Sequence, residues 1–267
     1  MINIIEKIVH KKKKEIKKKK NSISIKKLEN SSFFRRDILS LKKNIENSKY
    51  GIIAEFKLKS PSKGIINSNS SLEEVIKGYE AAKVSGISIL TDYHFLGSNE
   101  NIKKSRYLIS IPILRKDFII DEYQVIESKS IGSDAILLIA NILSLKEIKN
   151  LSKIAKSIGL EVILEIHNEN EIEKITDDID LIGINNRNLK SFIVNENNCL
   201  ELYSKIPNSY IKIAESGINN VENIFKYKKV GFKGFLIGEY FMKHKNPGKM
   251  CKIFMNSLER FYQNEIQ

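Results

Sequence analysis

Ala135-Ile136-Leu137-Leu138-Ile139-Ala140 is the longest unbroken apolar run in the chain. It has the length of a strand, and it is apolar on both alternating faces, as a strand buried on both sides must be. It falls far short of the ~18 apolar residues that a membrane span needs. Runs of the same kind lie to either side: Ile52–Lys57, Ile87–Thr91, Ile111–Phe118, Glu161–Ile166, Leu181–Asn185, Tyr210–Glu215 and Gly234–Gly238. Each is followed by a polar or glycine turn and then by a stretch of helical character. Strands alternating with helices imply right-handed βαβ units and a parallel sheet. With the central run there are eight strands, which suit a closed (β/α)8 TIM barrel of the α/β class better than an open doubly wound sheet.

Upstream of the first run, residues 1–50 read as helices that form an N-terminal extension, placed to cover one end of the barrel. Ile4, Ile5, Ile8 and Val9 repeat at helical spacing, and the lysine stretch after them reads as a solvated continuation. Phe33, Phe34, Ile38 and Leu41 predict a second short amphipathic element. No Gly/Ser/Pro-rich linker interrupts the chain. The whole of 1–267 therefore reads as one domain, with the extension at 1–50 and the barrel at 51–267. The chain ends soon after the eighth strand and one helix, so no fused second enzyme is expected.

Hydrophobic residues make up 42% of the sequence, enough for a large core. The two cysteines, Cys199 and Cys251, form no paired motif, which argues against a disulfide framework or zinc ribbon and for the reducing cytoplasm. No signal peptide is expected, because no apolar core follows a charged start at Met1-Ile2-Asn3-Ile4. The net charge is +13 and the pI about 9.4. Much of the excess sits in Lys11–Lys14 and Lys17–Lys20, without the interleaved aromatics that stack on bases. Lys, Ile and Asn also recur where no role is evident. The charge thus reads as coding bias rather than a nucleic-acid surface, and a basic field helps to draw in an anionic substrate.

Charged residues inside strands buried on both faces are costly unless they act, and in a barrel function gathers at the C-terminal strand ends. The first strand ends with Glu55 and Lys57, two apart and so on one face with Ile53. A structural ion pair is the lesser alternative for that pair. The third strand ends with Lys116 and Phe118 on one face and Arg115 and Asp117 on the other. The fifth carries Glu165 as a lone carboxylate, and the sixth puts Asn185 and Arg187 on one face. Several such groups at one depth of one barrel point to an active site. Strands seven and eight instead end in Ser216-Gly217 and Gly238-Glu239, each placing a glycine just ahead of a helix. Either glycine alone is an ordinary turn residue; together, in the two loops where barrels hold phosphate, they point to a phosphate site. The four histidines show no HxH or HExxH spacing, so no metal site is expected, and His167 reads as a supporting or surface group rather than a catalyst.

These strand ends closely resemble the indole-3-glycerol phosphate synthase family. The matching stretches are Ile52–Lys57 with Lys59-Ser60-Pro61-Ser62-Lys63-Gly64, Leu114-Arg115-Lys116-Asp117-Phe118, Glu161–Glu165, Gly183-Ile184-Asn185-Asn186-Arg187, Ala214-Glu215-Ser216-Gly217 and Phe235-Leu236-Ile237-Gly238-Glu239. The resemblance implies a cofactor-free lyase of tryptophan biosynthesis. It would close 1-(2-carboxyphenylamino)-1-deoxyribulose 5-phosphate to indole-3-glycerol phosphate, carbon dioxide and water. By position, Lys116 matches the general acid. Lys57 matches the lysine near the substrate carboxylate and is also a candidate proton donor. Glu165 and Glu55 match the carboxylates for proton removal and positioning, and Asn185 and Arg187 match polar groups of the site. Phe118 matches an apolar wall, and Ser60, Ser216, Gly217, Leu236, Gly238 and Glu239 match substrate and phosphate positions. Chemistry of this kind favours a buried lysine with a lowered pKa and a buried glutamate with a raised one. One departure is the loop Asp92-Tyr93-His94-Phe95-Leu96-Gly97, a residue shorter than is usual in the family, with Phe95-Leu96 where two aromatics are expected. The resemblance further implies a phosphorylated small-molecule substrate and, as partners go, no nucleic acid, no membrane and a monomer. The alternatives are another phosphate-binding barrel, such as phosphoribosylanthranilate isomerase, and a non-catalytic basic RNA-binding protein.

Overall fold

The computed structural model describes residues 4–61 and 63–266. Ser62 of the Ser-Pro-Ser stretch and Met1 to Asn3 of the chain start lie outside the described residues. The barrel strands are β1 (Ile52–Phe56), β2 (Gly86–Leu90), β3 (Ile113–Lys116), β4 (Ala135–Ile139), β5 (Glu161–Ile166), β6 (Leu181–Asn185), β7 (Ile211–Glu215) and β8 (Gly234–Ile237). All pair in parallel with their chain neighbours, and β8 closes on β1. The fold is the expected TIM barrel, with strand bounds within two residues of those predicted. Lys57 and Phe118 fall just past their strands.

The two-residue period sorts the side chains. Ile53, Leu114, Leu137, Ile163, Ile213 and Leu236 pack together inside the barrel, while Ile52, Ala54, Ile136, Leu138, Val162 and Leu164 join the larger core under the helices. The register sets Leu90 beside Lys116, Glu165 beside Gly183 and Asn185 beside Glu215. The polar members of these pairs therefore meet at the C-terminal mouth.

The extension reaches both ends of the barrel, not one. Helix α1 (Ile4–Ser22) sends Ile5 and Ile8 to the mouth, and α2 (Ile25–Glu29) lies along α6 (Glu122–Ser130), which in the outer ring follows α4 (Leu72–Ala81) and α5 (Asn99–Leu108) and precedes α7 (Leu145–Ser157). Helix α3 (Leu41–Glu46) plugs the other end. Leu41 there packs over Gly86 at the start of β2, and the Glu161 carboxylate at the start of β5 accepts from the Ser40 hydroxyl and the Lys42 N–H. The predicted amphipathic element at Phe33–Leu41 is not a helix: residues 33–36 form turns, and Ser40 instead caps the start of α3 by accepting from Lys43 N–H at 3.0 Å. The Arg36 side chain fixes those turns through a 2.7 Å bond to Asp134. Between β5 and β6 the expected helix is a 3-10 turn, Glu169–Lys174.

The lysine stretch is not uniformly solvated. Lys12 is 3% exposed, and its Nζ lies 2.7 Å from Asp92 and 2.9 Å from Asp117. The helical period explains this, because Lys12 continues the buried stripe of Ile8 and Ile16 at intervals of four. Burial pulls the Lys12 pKa down, but Asp117 and Asp92 outweigh it and the net shift is upward. Behind this pair, Arg115 points outward under α6. It donates to Asp117 at 3.0 Å, Glu127 at 2.8 Å, Thr91 Oγ1 at 3.2 Å and Ser128 Oγ at 3.1 Å. The extension is thus tied to the barrel by a buried network of alternating charge.

Candidate active site

Every site residue expected from the sequence lines one cavity of about 660 Å³ at the C-terminal mouth. At its floor Lys116, at the end of β3, reaches two carboxylates. Its Nζ lies 2.8 Å from Glu165 Oε2 on β5 and 2.5 Å from Glu215 Oε2 on β7. Beside them Lys57 Nζ lies 2.7 Å from Glu55 Oε1. The walls are Phe118 and Phe95, with ring centroids 6.3 Å apart, together with Ile5, Ile8 and Leu236. The shortened loop after β2 thus still delivers one aromatic to the cavity. Leu96 takes a left-handed turn (φ 58°) and is 49% exposed.

Two glycines make room for the carboxylates. A Cβ on Gly183 would stand 2.2 Å from Glu215 Oε1, and one on Gly238 would stand 2.4 Å from Glu55 Oε1. Both contacts are far inside van der Waals distance, so each carboxylate fills the space its neighbouring strand leaves empty.

The charges at the floor differ from those expected. Burial works to lower the Lys116 pKa, but Glu165, Glu215 and Glu55 outweigh it and hold the ammonium firmly charged. For Glu165, burial works upward, while Lys116 and His167 pull its pKa well below the usual carboxylate range. Glu215 goes the other way. Burial, joined by the Glu165 charge, pushes it up to about 7 although Lys116 opposes this. The raised pKa therefore belongs to Glu215, not Glu165, and the lysine is raised rather than lowered. Two carboxylates sharing one ammonium have been driven apart.

Glu215 was not among the expected site residues. It shares its face with Ile211 and Ile213, so the alternation that singled out Glu165 applies to it equally. The neighbouring Ser216-Gly217 drew the reading of this strand end toward phosphate instead.

The opposite wall carries the two glycine turns after β7 and β8. Ser216 (φ 69°) and Gly217 (φ 79°) are consecutive left-handed residues, and the Ser216 carbonyl accepts from Asn186 Nδ2 at 3.0 Å. Gly238 starts the four-residue helix α10 (Glu239–Met242) directly, as expected. After Gly217, by contrast, the helix α9 (Val221–Val230) begins four residues later. Ser60, Lys63 and Arg187 complete this side. The Glu239 carboxylate lies here, 2.5 Å from Lys63 Nζ and 3.6 Å from Arg187 Nη2. Asn185 Oδ1 accepts from the Arg187 N–H at 2.9 Å, and the Arg187 guanidinium donates to the Phe192 carbonyl at 3.1 Å, which fixes the turn.

Residues 5–254 match the family model for indole-3-glycerol phosphate synthase. Curated proteins of that name resemble the chain along its length. The protein of Bacteroides thetaiotaomicron is 42% identical over 260 residues, which cover 97% of this chain and 100% of that protein. The protein of Campylobacter jejuni is 42% identical over 258 residues, covering 94% and 100%. Among solved structures, tryptophan synthase subunit alpha from Legionella pneumophila superposes with a TM-score of 0.61 at 11% identity, covering 84% of this chain and 98% of that one. At that identity the likeness is one of fold.

Proposed function

Because this chain belongs to the indole-3-glycerol phosphate synthase family, we propose that Lys116 is its general acid and Glu165 its general base. The enzyme is a carboxy-lyase of tryptophan biosynthesis. It closes 1-(2-carboxyphenylamino)-1-deoxyribulose 5-phosphate to indole-3-glycerol phosphate, carbon dioxide and water. The observation that carries the assignment is Lys116 Nζ held between Glu165 and Glu215 at the floor of the cavity.

The ring carbon that bears the carboxylate attacks the ketone, and negative charge develops on the ketone oxygen. The Lys116 ammonium stabilises that charge and passes a proton to it. Carbon dioxide then leaves, which restores the aromatic ring. Lys57 orients the departing carboxylate, and Phe118, with Leu236 nearby, gives the ring a dry wall. Loss of water needs an acid at the departing hydroxyl and a base at the adjacent carbon. Glu165, kept ionised, is suited to take that proton. Glu215, with a pKa of about 7, is suited to reprotonate Lys116 between steps. Glu55 holds Lys57 in place, and Asn185 holds the Arg187 turn. The Ser60 hydroxyl, the Arg187 guanidinium and the backbone N–H groups of Ser216, Gly217, Gly238 and Glu239 receive the phosphate.

Purified protein mixed with the carboxyphenylamino substrate is expected to form the indole product, followed by fluorescence. Glu165→Gln is expected to lower kcat by about 10²-fold with KM little changed; an unchanged kcat would remove Glu165 from the role of base. Gly183→Ala tests the floor from behind. The added methyl displaces Glu215 from Lys116, and the misplacement is expected to cost about 10²-fold in turnover. A variant with normal kcat and a normal melting temperature would show that Glu215 is dispensable.

We also infer that the chain acts as one domain, 1–267, with the Lys12 network joining extension and barrel. The same reading makes it a cytoplasmic monomer that acts on a small molecule and not on nucleic acid. Its two cysteines are buried and free, in keeping with a reducing compartment. Light scattering and a salt-dependent RNA shift assay test the last two points.

A further inference from the structure

His167 stands just past β5, behind Glu165, with its side chain 7% exposed. Its two ring nitrogens face two different carboxylates. Nε2 lies 3.2 Å from Glu165 Oε1, and Nδ1 lies 3.4 Å from Glu171 Oε2. The His167 backbone N–H donates to the same Glu171 oxygen at 2.8 Å, so the far carboxylate is anchored to the residue it brackets. The other Glu171 oxygen accepts from Asn141 Nδ2 at 3.0 Å and Asn168 Nδ2 at 2.8 Å. The His167 carbonyl accepts from Asn198 Nδ2 at 3.1 Å, which pins the backbone.

An ionised carboxylate only accepts hydrogen bonds, whereas a neutral imidazole has a single N–H to give. A buried ring with a carboxylate oxygen within 3.4 Å of each nitrogen is matched in charge, and faces no lone pair with a lone pair, only when both nitrogens carry protons. We propose that His167 is a positioning residue which, as an imidazolium clamped between Glu165 and Glu171, holds the Glu165 carboxylate ionised and correctly aimed. This rests on the reading of Glu165 as the base. The Glu165 carboxylate then has a cation beside each oxygen, with the His167 ring 3.2 Å from Oε1 at ion-pair distance and Lys116 hydrogen-bonded to Oε2 at 2.8 Å. The 3-10 turn Glu169–Lys174, standing in place of an α-helix, is what brings Glu171 back to the ring.

The groups around the ring agree with this assignment. Glu165 of β5 and Glu171 of the 3-10 turn face it directly. Asn141 from the loop after β4 and Asn198 from α8 (Asn198–Tyr203) are neutral. Beyond Glu165 stand Lys116 of β3 and Glu215 of β7. Burial pulls the imidazole pKa down, but Glu165 and Glu171 outweigh it and lift it to about 9. A raised pKa stabilises the fold below the ordinary histidine range, and that contribution is lost as pH rises through about 9.

Two measurements test the clamp. Imidazole nitrogen NMR of the wild-type enzyme, assigned by elimination with His10, His94 and His244 variants, is expected to show both His167 nitrogens protonated at pH 8. A neutral ring there overturns the inference, with no need for an altered active site. His167→Gln keeps an N–H toward Glu165 and removes the charge. Its kcat is expected to fall about 10-fold, with the acid limb of the pH profile moved up by about one pH unit and KM within about three-fold. A merely structural role would lower the yield of folded enzyme and leave the acid limb in place, and that result also overturns the proposal. Glu165→Gln separates the two readings. Retained turnover there removes the base assignment, whereas a neutral His167 removes only the clamp.

Discussion

Lys116→Ala is expected to lower kcat by about 10³–10⁴-fold, because general acid and charge stabilisation leave together. The proposed phosphate positions Ser216, Gly217, Gly238 and Arg187 line the other wall of the cavity, so inorganic phosphate should still compete for the site with near wild-type affinity. The variant also leaves Glu165 and Glu215 buried with their shared cation gone. In the wild type the depressed Glu165 pKa stabilises the fold above the ordinary carboxylate range, and that contribution fades as pH falls. In the wild type the raised Glu215 already costs stability as pH rises toward 7, and without Lys116 the two carboxylates share a proton and that loss near neutrality should deepen. Steady-state kinetics and melting curves across pH check both points. Near-normal turnover would move the acid role to Lys57.

Arg115→Ala is expected to be the most destabilising single change, at about 3–5 kcal/mol, because it removes one partner of a buried charge network. Arg115 is 1% exposed and holds Asp117 and Glu127 at once, while Asp117 in turn holds Lys12 of the extension. Burial works to raise the pKa of Asp117, but Lys12 and Arg115 outweigh it and the group is lowered; Glu127 behaves alike under Arg115 and Lys19. Lowered carboxylates contribute stability above the ordinary carboxylate range and lose it as pH falls. The variant should therefore melt at lower temperature at pH 7 and show a flatter loss toward acid. Chemical denaturation at several pH values checks this. A loss under about 1 kcal/mol would mean that the network is as replaceable as an exposed ion pair.

The barrel was legible in the sequence because its signal is local. Eight apolar runs at strand length, each followed by a turn and a helix, leave few topologies open. The inward face was legible too, since a period of two places Glu55, Lys116, Glu165 and Asn185 without knowledge of any partner. That they share one cavity follows from barrel closure, which brings all strand ends to one mouth. The same rule held Glu215 within reach, and only its neighbours Ser216 and Gly217 hid it.

Three things were decided only by the tertiary structure. Lys12 is indistinguishable by type from the lysines beside it, and only Asp92 and Asp117, distant in sequence, make its burial tolerable. The protonation of the floor depends on distances between strands. Burial and the nearby Glu165 charge raise the Glu215 pKa against Lys116, while Lys116 depresses Glu165 and is itself held charged, where burial alone predicts the reverse for those two. His167 gains its role from Glu171, which a 3-10 turn rather than a helix brings to its ring. Residue type and spacing determined where the chemistry sits, because strand and helix periods are short-range. Which group holds which proton was left to the packing, because Coulomb interactions and desolvation depend on through-space neighbours that no local pattern encodes.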